Sequence, residues 1–170
     1  MKQILAFVLV ILLLAGFTAC NRGAQPPAKL VLEKGTIAVG AAHSSVAGME
    51  IRIINAVWND EIKLDVSWSN QTGYDALYGE SFQIQRYDNG QWVSCVIPGN
   101  LAFHAIGYDL ASGVTRKETY GLTDIFDISA SGKYRFYTDC FVYEKGRGGE
   151  STTCELWAEF TVTRNEEVLQ

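Results

Sequence analysis

Ile62-Lys63-Leu64-Asp65-Val66-Ser67-Trp68-Ser69 alternates apolar and polar residues without a break. Successive side chains of a β-strand point to opposite faces, so Ile62, Leu64, Val66 and Trp68 share one face and Lys63, Asp65, Ser67 and Ser69 the other. This pattern marks a half-buried antiparallel strand. Similar runs lie on both sides. Met49 to Val57 sets Ile51, Ile53 and Val57 against Glu50 and Arg52, and Asn59-Asp60 supplies a turn before Ile62. Phe82 to Tyr87 and Gln91 to Ile97 flank Asn89-Gly90. That dipeptide is the strongest short-range hairpin signal, because both residues tolerate positive φ. Thr115 to Leu122, Lys133 to Tyr143 and Thr152 to Thr163 read as further strands. Residues 98–115 contain Pro98-Gly99 and Gly107 and read as a long connection with a short strand or turn. About seven turn-punctuated strands, with no convincing long helix, predict an all-β fold: an antiparallel two-sheet β-sandwich over residues 36–163.

The last two predicted strands meet around Gly146-Arg147-Gly148, a short Gly-containing hairpin loop. Centring the turn on Arg147 pairs Cys140 with Cys154, Phe136 with Ala158, Thr138 with Leu156 and Tyr134 with Phe160. This is the apolar face, so it belongs inside. A Cys140–Cys154 disulfide fits the register; two buried thiols, or a bridge from Cys95 to either partner, are the alternatives. On the opposite face Tyr137 pairs with Trp157, and Phe141 and Tyr143 lie on the same side. Arg135 faces Glu159 as a favourable charge pair, and Asp139 faces Glu155 unfavourably. The four aromatics form a candidate binding patch if they are exposed. If residues 98–115 fold over them, they are a second small core.

Several of these segments together resemble bacterial immunoglobulin-like domains found on secreted proteins and lipoproteins. The matching pieces are Leu64-Asp65-Val66-Ser67-Trp68-Ser69-Asn70 and Tyr78-Gly79-Glu80-Ser81-Phe82-Gln83-Ile84. They continue with Asn89-Gly90-Gln91-Trp92-Val93 and Ser131-Gly132-Lys133-Tyr134-Arg135-Phe136. Ser131 stands where that family usually has Pro. The resemblance spans roughly residues 45–163 and implies an immunoglobulin-like sandwich. It carries no catalytic residues with it, and fold by itself does not fix function.

The chain begins with Lys2, an apolar run from Ile4 to Gly16, and Phe17-Thr18-Ala19-Cys20. A basic start, an apolar core and small residues before a cut mark a secretory signal; the run is short against the ~20 residues of a membrane-spanning helix. Cysteine directly after Thr-Ala resembles the lipobox of bacterial lipoproteins, with Phe17 in place of the usual Leu. The resemblance implies cleavage before Cys20 and acylation of that residue. The expected organisation is a signal peptide over 1–19, a lipid-anchored tether over 20–35 carrying Pro26-Pro27, the sandwich over 36–163 and a fraying tail over 164–170. The expected location is the extracytoplasmic side of a bacterial cell envelope, held to the membrane by the N-terminal lipid.

Beyond the signal the chain holds 13 Lys and Arg against 19 Asp and Glu. This acidic balance gives no electrostatic footprint for nucleic acid and no polybasic patch to assist a lipid. With Cys20 assigned to lipid, Cys95, Cys140 and Cys154 remain, an odd number that allows one internal bridge at most. No Cys-x-x-Cys occurs, and His43 and His104 are far from the cysteines, so no metal or cofactor is expected. Nucleophile elbows, zinc-protease helices and phosphate loops are missing from the sequence. Cys95 with His104 as base is a weak catalytic alternative. The expected function is a lipid-anchored binding or structural module that meets a protein, peptide or glycan. The competing expectation is an enzyme or an enzyme inhibitor using the 98–115 loop.

Overall fold

The computed structural model describes residues 35–59, 61–97, 99, 102–143 and 151–165. Within them are ten strands: β1 Thr36–Ser44, β2 Met49–Trp58, β3 Ile62–Asn70, β4 Asp75–Gly79 and β5 Gln83–Asp88, then β6 Gln91–Ser94, β7 Gly107–Leu110, β8 Thr115–Gly121, β9 Gly132–Tyr143 and β10 Thr152–Thr163. They form two antiparallel sheets. The larger has seven strands in the path β1-β10-β9-β4-β7, with β5 pairing the first half of β9 and β6 pairing β5. The smaller has the order β2-β3-β8. The expected two-sheet sandwich is present, with three strands beyond the seven runs read from the sequence, one of them, β7, the short strand allowed for within residues 98–115.

Each additional strand has a weak signature. β1 is rich in small residues and mostly exposed, so it lacks clean alternation. β4 spans five residues and β7 four, too short for periodicity to register. β1 is nevertheless held to β10 over most of its length, with a register shift between Val39 and Ala42.

The core lies between the sheets. Ile62, Leu64, Val66 and Trp68 are buried as their alternation requires, and they meet Tyr134, Phe136, Leu156 and Phe160 of the larger sheet. Trp68 stacks on Tyr78 at 4.2 Å, and its indole N–H donates to the Tyr120 hydroxyl. The Tyr134 hydroxyl donates to the Ala130 carbonyl at 2.7 Å, pinning the entry to β9 as tyrosine corners do in immunoglobulin sandwiches. In β2 the expected face holds only as far as Ile53. A register shift between Ile53 and Asn55 reverses the phase, so Val57 is exposed while Ala56 and Trp58 pack against the core. A bulge inserts one residue and thereby swaps faces.

The Asn89-Gly90 turn has φ of 48° and 84°, the two left-handed residues that a two-residue hairpin needs. It places Tyr87 opposite Trp92. Gly48, before β2, has φ 86°, and a Cβ there would lie 2.8 Å from the Gln71 carbonyl oxygen. Gln71 N–H also donates to the Gly48 carbonyl at 2.6 Å, so this approach cannot widen freely. Gly48→Ala is therefore expected to cost about 2 kcal/mol, of which left-handed strain is roughly 1. Urea unfolding measures it; a loss below a few tenths would mean that the turn yields.

Arg164, assigned to a fraying tail, is instead tied down. Its N–H donates to Ser131 Oγ, its side chain to the Ile128 carbonyl, and its guanidinium lies 5.1 Å from the Trp58 ring. The signal 1–19, Cys20, nearly all of the 20–35 tether, the Gly146-Arg147-Gly148 turn and residues 166–170 lie outside the described residues.

Candidate functional site

The β9–β10 register is the one expected. Cys140 opposes Cys154, Tyr137 opposes Trp157, Arg135 opposes Glu159 and Asp139 opposes Glu155. Burial alternates along both strands, with Tyr134, Phe136, Thr138, Cys140 and Val142 inward.

Cys140 and Cys154 meet as free thiols, not as the expected bridge. The pairing satisfies them in that form. They are cross-strand partners, and Cys154 Sγ lies 3.3 Å from Ser44 Oγ. The Cys140 contact, helped by Ser44, holds the Cys154 thiol below its usual value, while the same contact and burial push Cys140 up. Cys154 is fully buried, which separates its reactivity from any large partner.

Tyr137, Trp157, Phe141 and Tyr143 all lie on the outer face of the larger sheet. Phe141 is 45% exposed and the other three are half-buried. Where it is described, the 98–115 segment does not cover them. Its Phe103 packs inward against Phe82, Leu110 is buried, and β7 extends the sheet beside β4. Only Tyr143 meets it, donating to Asp109 Oδ1 at 2.8 Å.

The face also recruits residues that the hairpin reading did not include. His43 of β1 stacks on Trp157 at 5.1 Å. Arg135 lies over Trp92, Tyr137 and Trp157 at 4.5, 5.3 and 5.9 Å. Lys133 lies over Trp92 and Tyr87 at 5.6 and 5.9 Å. An aromatic strip threaded by two cations thus crosses from β6 to β1. Phe141 and Tyr143 sit beyond its end, farther along β9. The expected Arg135–Glu159 ion pair is not made: Arg135 Nε donates to Gln85 Oε1 at 2.6 Å, and Lys133 takes Glu159 at 2.7 Å. Partial burial lowers Arg135 from its ordinary value and, together with Glu155, raises Tyr137. Two-residue hairpin geometry already placed Tyr87 opposite Trp92; His43 is brought in only by the long-range pairing of β1 with β10.

Cys95 and His104 do not form a catalytic pair. Cys95 lies in a hollow with Arg86, Val93 and Asp127, and burial pushes its thiol up, away from a nucleophile's range. His104 instead meets Glu80 Oε2 at 3.2 Å. Glu80 in turn lines a cleft of about 280 Å³ where β8 faces β4 and β7 across the sandwich. Tyr78, Phe82, Phe103, Tyr108 and Tyr120 form its aromatic walls, and Glu80 and Glu118 supply two carboxylates. The Tyr108 hydroxyl donates to Glu80 at 2.7 Å and the Tyr78 hydroxyl to Glu118 at 3.1 Å. The Tyr108 contact holds Glu80 below the ordinary carboxylate range and raises Tyr108 in turn; burial raises Tyr78 and Tyr120. The cleft had no sequence signal, because its walls come from four separated stretches of chain.

No curated protein matches the chain. A family model described as "Bacterial Ig-like domain" matches residues 45–161, most of the sandwich. With the two antiparallel sheets and the buried Trp68–Tyr134 core now in place, the chain belongs to the bacterial Ig-like domain family.

Proposed function

We propose that this protein is a lipid-anchored, extracytoplasmic binding module without catalytic chemistry of its own. It engages a protein, peptide or glycan partner through the outer face of its larger sheet. The observation that carries the reading is the strip of His43, Trp157, Tyr137, Arg135 and Trp92 across strands from β1 to β6. Aromatic rings and arginine on a rigid sheet lose little conformational entropy on contact and are the residue types that dominate interfaces. Anchoring through Cys20 would hold the sandwich at the envelope surface on the short 20–35 tether.

Trp157→Ala and Arg135→Ala test this. Each is expected to weaken partner capture from an envelope fraction by about 2 kcal/mol or more. Trp157 is half-buried, so its replacement should leave most of the melting temperature intact. Loss of 3–5 kcal/mol of stability, the range for emptying a core aromatic site, would reassign the strip to structure. The enzyme reading through residues 98–115 gains nothing from the geometry, since Cys95 and His104 have different partners.

A further inference from the structure

We propose that the cleft between β8 and the β4–β7 end of the larger sheet binds an organic cation, an ammonium or guanidinium group on a short alkyl chain. The site is separate from the outer face and stands whether or not that face binds a partner.

The lining selects for positive charge. Tyr78 and Tyr108 sit 5.5 Å apart, and Phe82 lies 5.3 Å from Phe103 and 4.9 Å from Tyr120; Tyr78 and Phe82 are buried in this packing, so the half-buried Phe103, Tyr108 and Tyr120 are the ring surface the cleft offers. Ring faces attract cations, and they do so more strongly where water is reduced. The tyrosine hydroxyls at the mouth are already spent as donors, Tyr78 on Glu118 and Tyr108 on Glu80. What the cleft offers an incoming group is therefore mainly carboxylate lone pairs and aromatic surface, beside the Tyr120 hydroxyl, which accepts from the Trp68 indole N–H and keeps its own proton to donate. An ammonium or guanidinium, which only donates, complements both. An anion would meet two carboxylates.

The carboxylates are not consumed by strong internal ion pairs. Among the described residues Glu80 has only His104, a group 84% exposed that carries charge only when protonated. Glu118 has no ion-pair partner within 4.0 Å among them. Glu80 itself is 32% exposed, so a ligand reaches it from solvent. Arg116, exposed two residues before Glu118 on β8, is the basic side chain nearest the Tyr78 hydroxyl and would compete with an incoming cation there. A cleft of about 280 Å³ accepts a side-chain-sized group, not an extended polymer.

The test titrates the full chain with N-acetyl-lysine methylamide and N-acetyl-arginine methylamide, following amide resonances of Gly79 and Gly121. N-acetyl-norleucine methylamide is the neutral control, and putrescine separates a free amine from a peptide side chain. The cationic probes are expected to shift both resonances saturably and the neutral control not to. Glu80→Gln and Glu118→Gln should each weaken the cation about tenfold, the effect of one lost charge contact in a partly desolvated site. Arg116→Ala removes the competing guanidinium and should tighten binding. Equal shifts from the neutral control, or unchanged affinity in Glu80→Gln with an unchanged melting temperature, would overturn the proposal. Glu80 is at the surface, so that variant stays informative even if Glu118→Gln fails to fold. Weaker binding in Arg116→Ala would also overturn it. If putrescine binds and the peptide probes do not, the cation is a free amine; the reverse assigns a peptide side chain.

Discussion

Asn70→Ala is expected to cost about 3–4 kcal/mol, seen as a melting temperature lower by about 10 °C. Asn70 ends β3 and is fully buried. Its amide donates to the Tyr74 and Leu110 carbonyls, both at 2.8 Å. Its Oδ1 accepts from the Thr72 N–H at 3.0 Å and the Thr72 hydroxyl at 2.8 Å. One side chain thus joins the smaller sheet to the 72–74 turn and to β7. Alanine would leave those partners unpaired, and a buried group without a partner costs roughly 1–3 kcal/mol, less where water reaches it. Thr72 and Tyr74 lie near solvent and recover part of the loss; Leu110 is buried and does not. Asn70→Asp should be no better, because it turns a carboxylate oxygen toward two carbonyls. Urea unfolding of both variants decides this. Losses under 1 kcal/mol in both would mean that the four contacts are not what closes this end of the sandwich.

Cys20→Ala is expected to move nearly all of the protein from the membrane to the soluble fraction. The motivating sequence is Phe17-Thr18-Ala19-Cys20. Each buried methylene of an acyl chain contributes about 0.8 kcal/mol, and two or more chains give stable anchoring. The chain beyond the signal has 13 basic against 19 acidic residues, so an anionic leaflet gives it no second hold. If Cys20 carries the acyl chains, its replacement should therefore remove the membrane affinity. Metabolic labelling with a fatty acid, together with fractionation, reads both effects in cells where export of the variant has been checked. Equal labelling of wild type and variant, or full membrane retention without label, would refute the anchoring.

The β9–β10 hairpin shows how far the sequence reaches. Alternation from Lys133 to Tyr143 and from Thr152 to Thr163, with a short Gly-containing loop between, sufficed to pair Cys140 with Cys154 and Tyr137 with Trp157. Local pattern and turn length determine register when one face must be buried. The same logic succeeded in β3 and at Asn89-Gly90, and failed in β2 beyond Ile53, where the bulge leaves no mark in composition. It also overread Arg135 and Glu159. Direct opposition brings two charges near each other, but the choice between Glu159, Gln85 and the ring of Trp92 depends on β5 and β6.

The sequence by itself determined the all-β class, the sandwich and the faces of β3, β9 and β10. All of these rest on neighbours within a strand or hairpin, whose periodicity the chain carries locally. Only the tertiary structure decided that β1 brings His43 onto Trp157, that β7 extends a sheet edge beside β4 and does not cover the outer face, and that Glu80 and Glu118 meet across one cleft. Those contacts join residues tens of positions apart. Their geometry follows from the crossing of two sheets and from the register of edge strands too short or too bland to announce themselves.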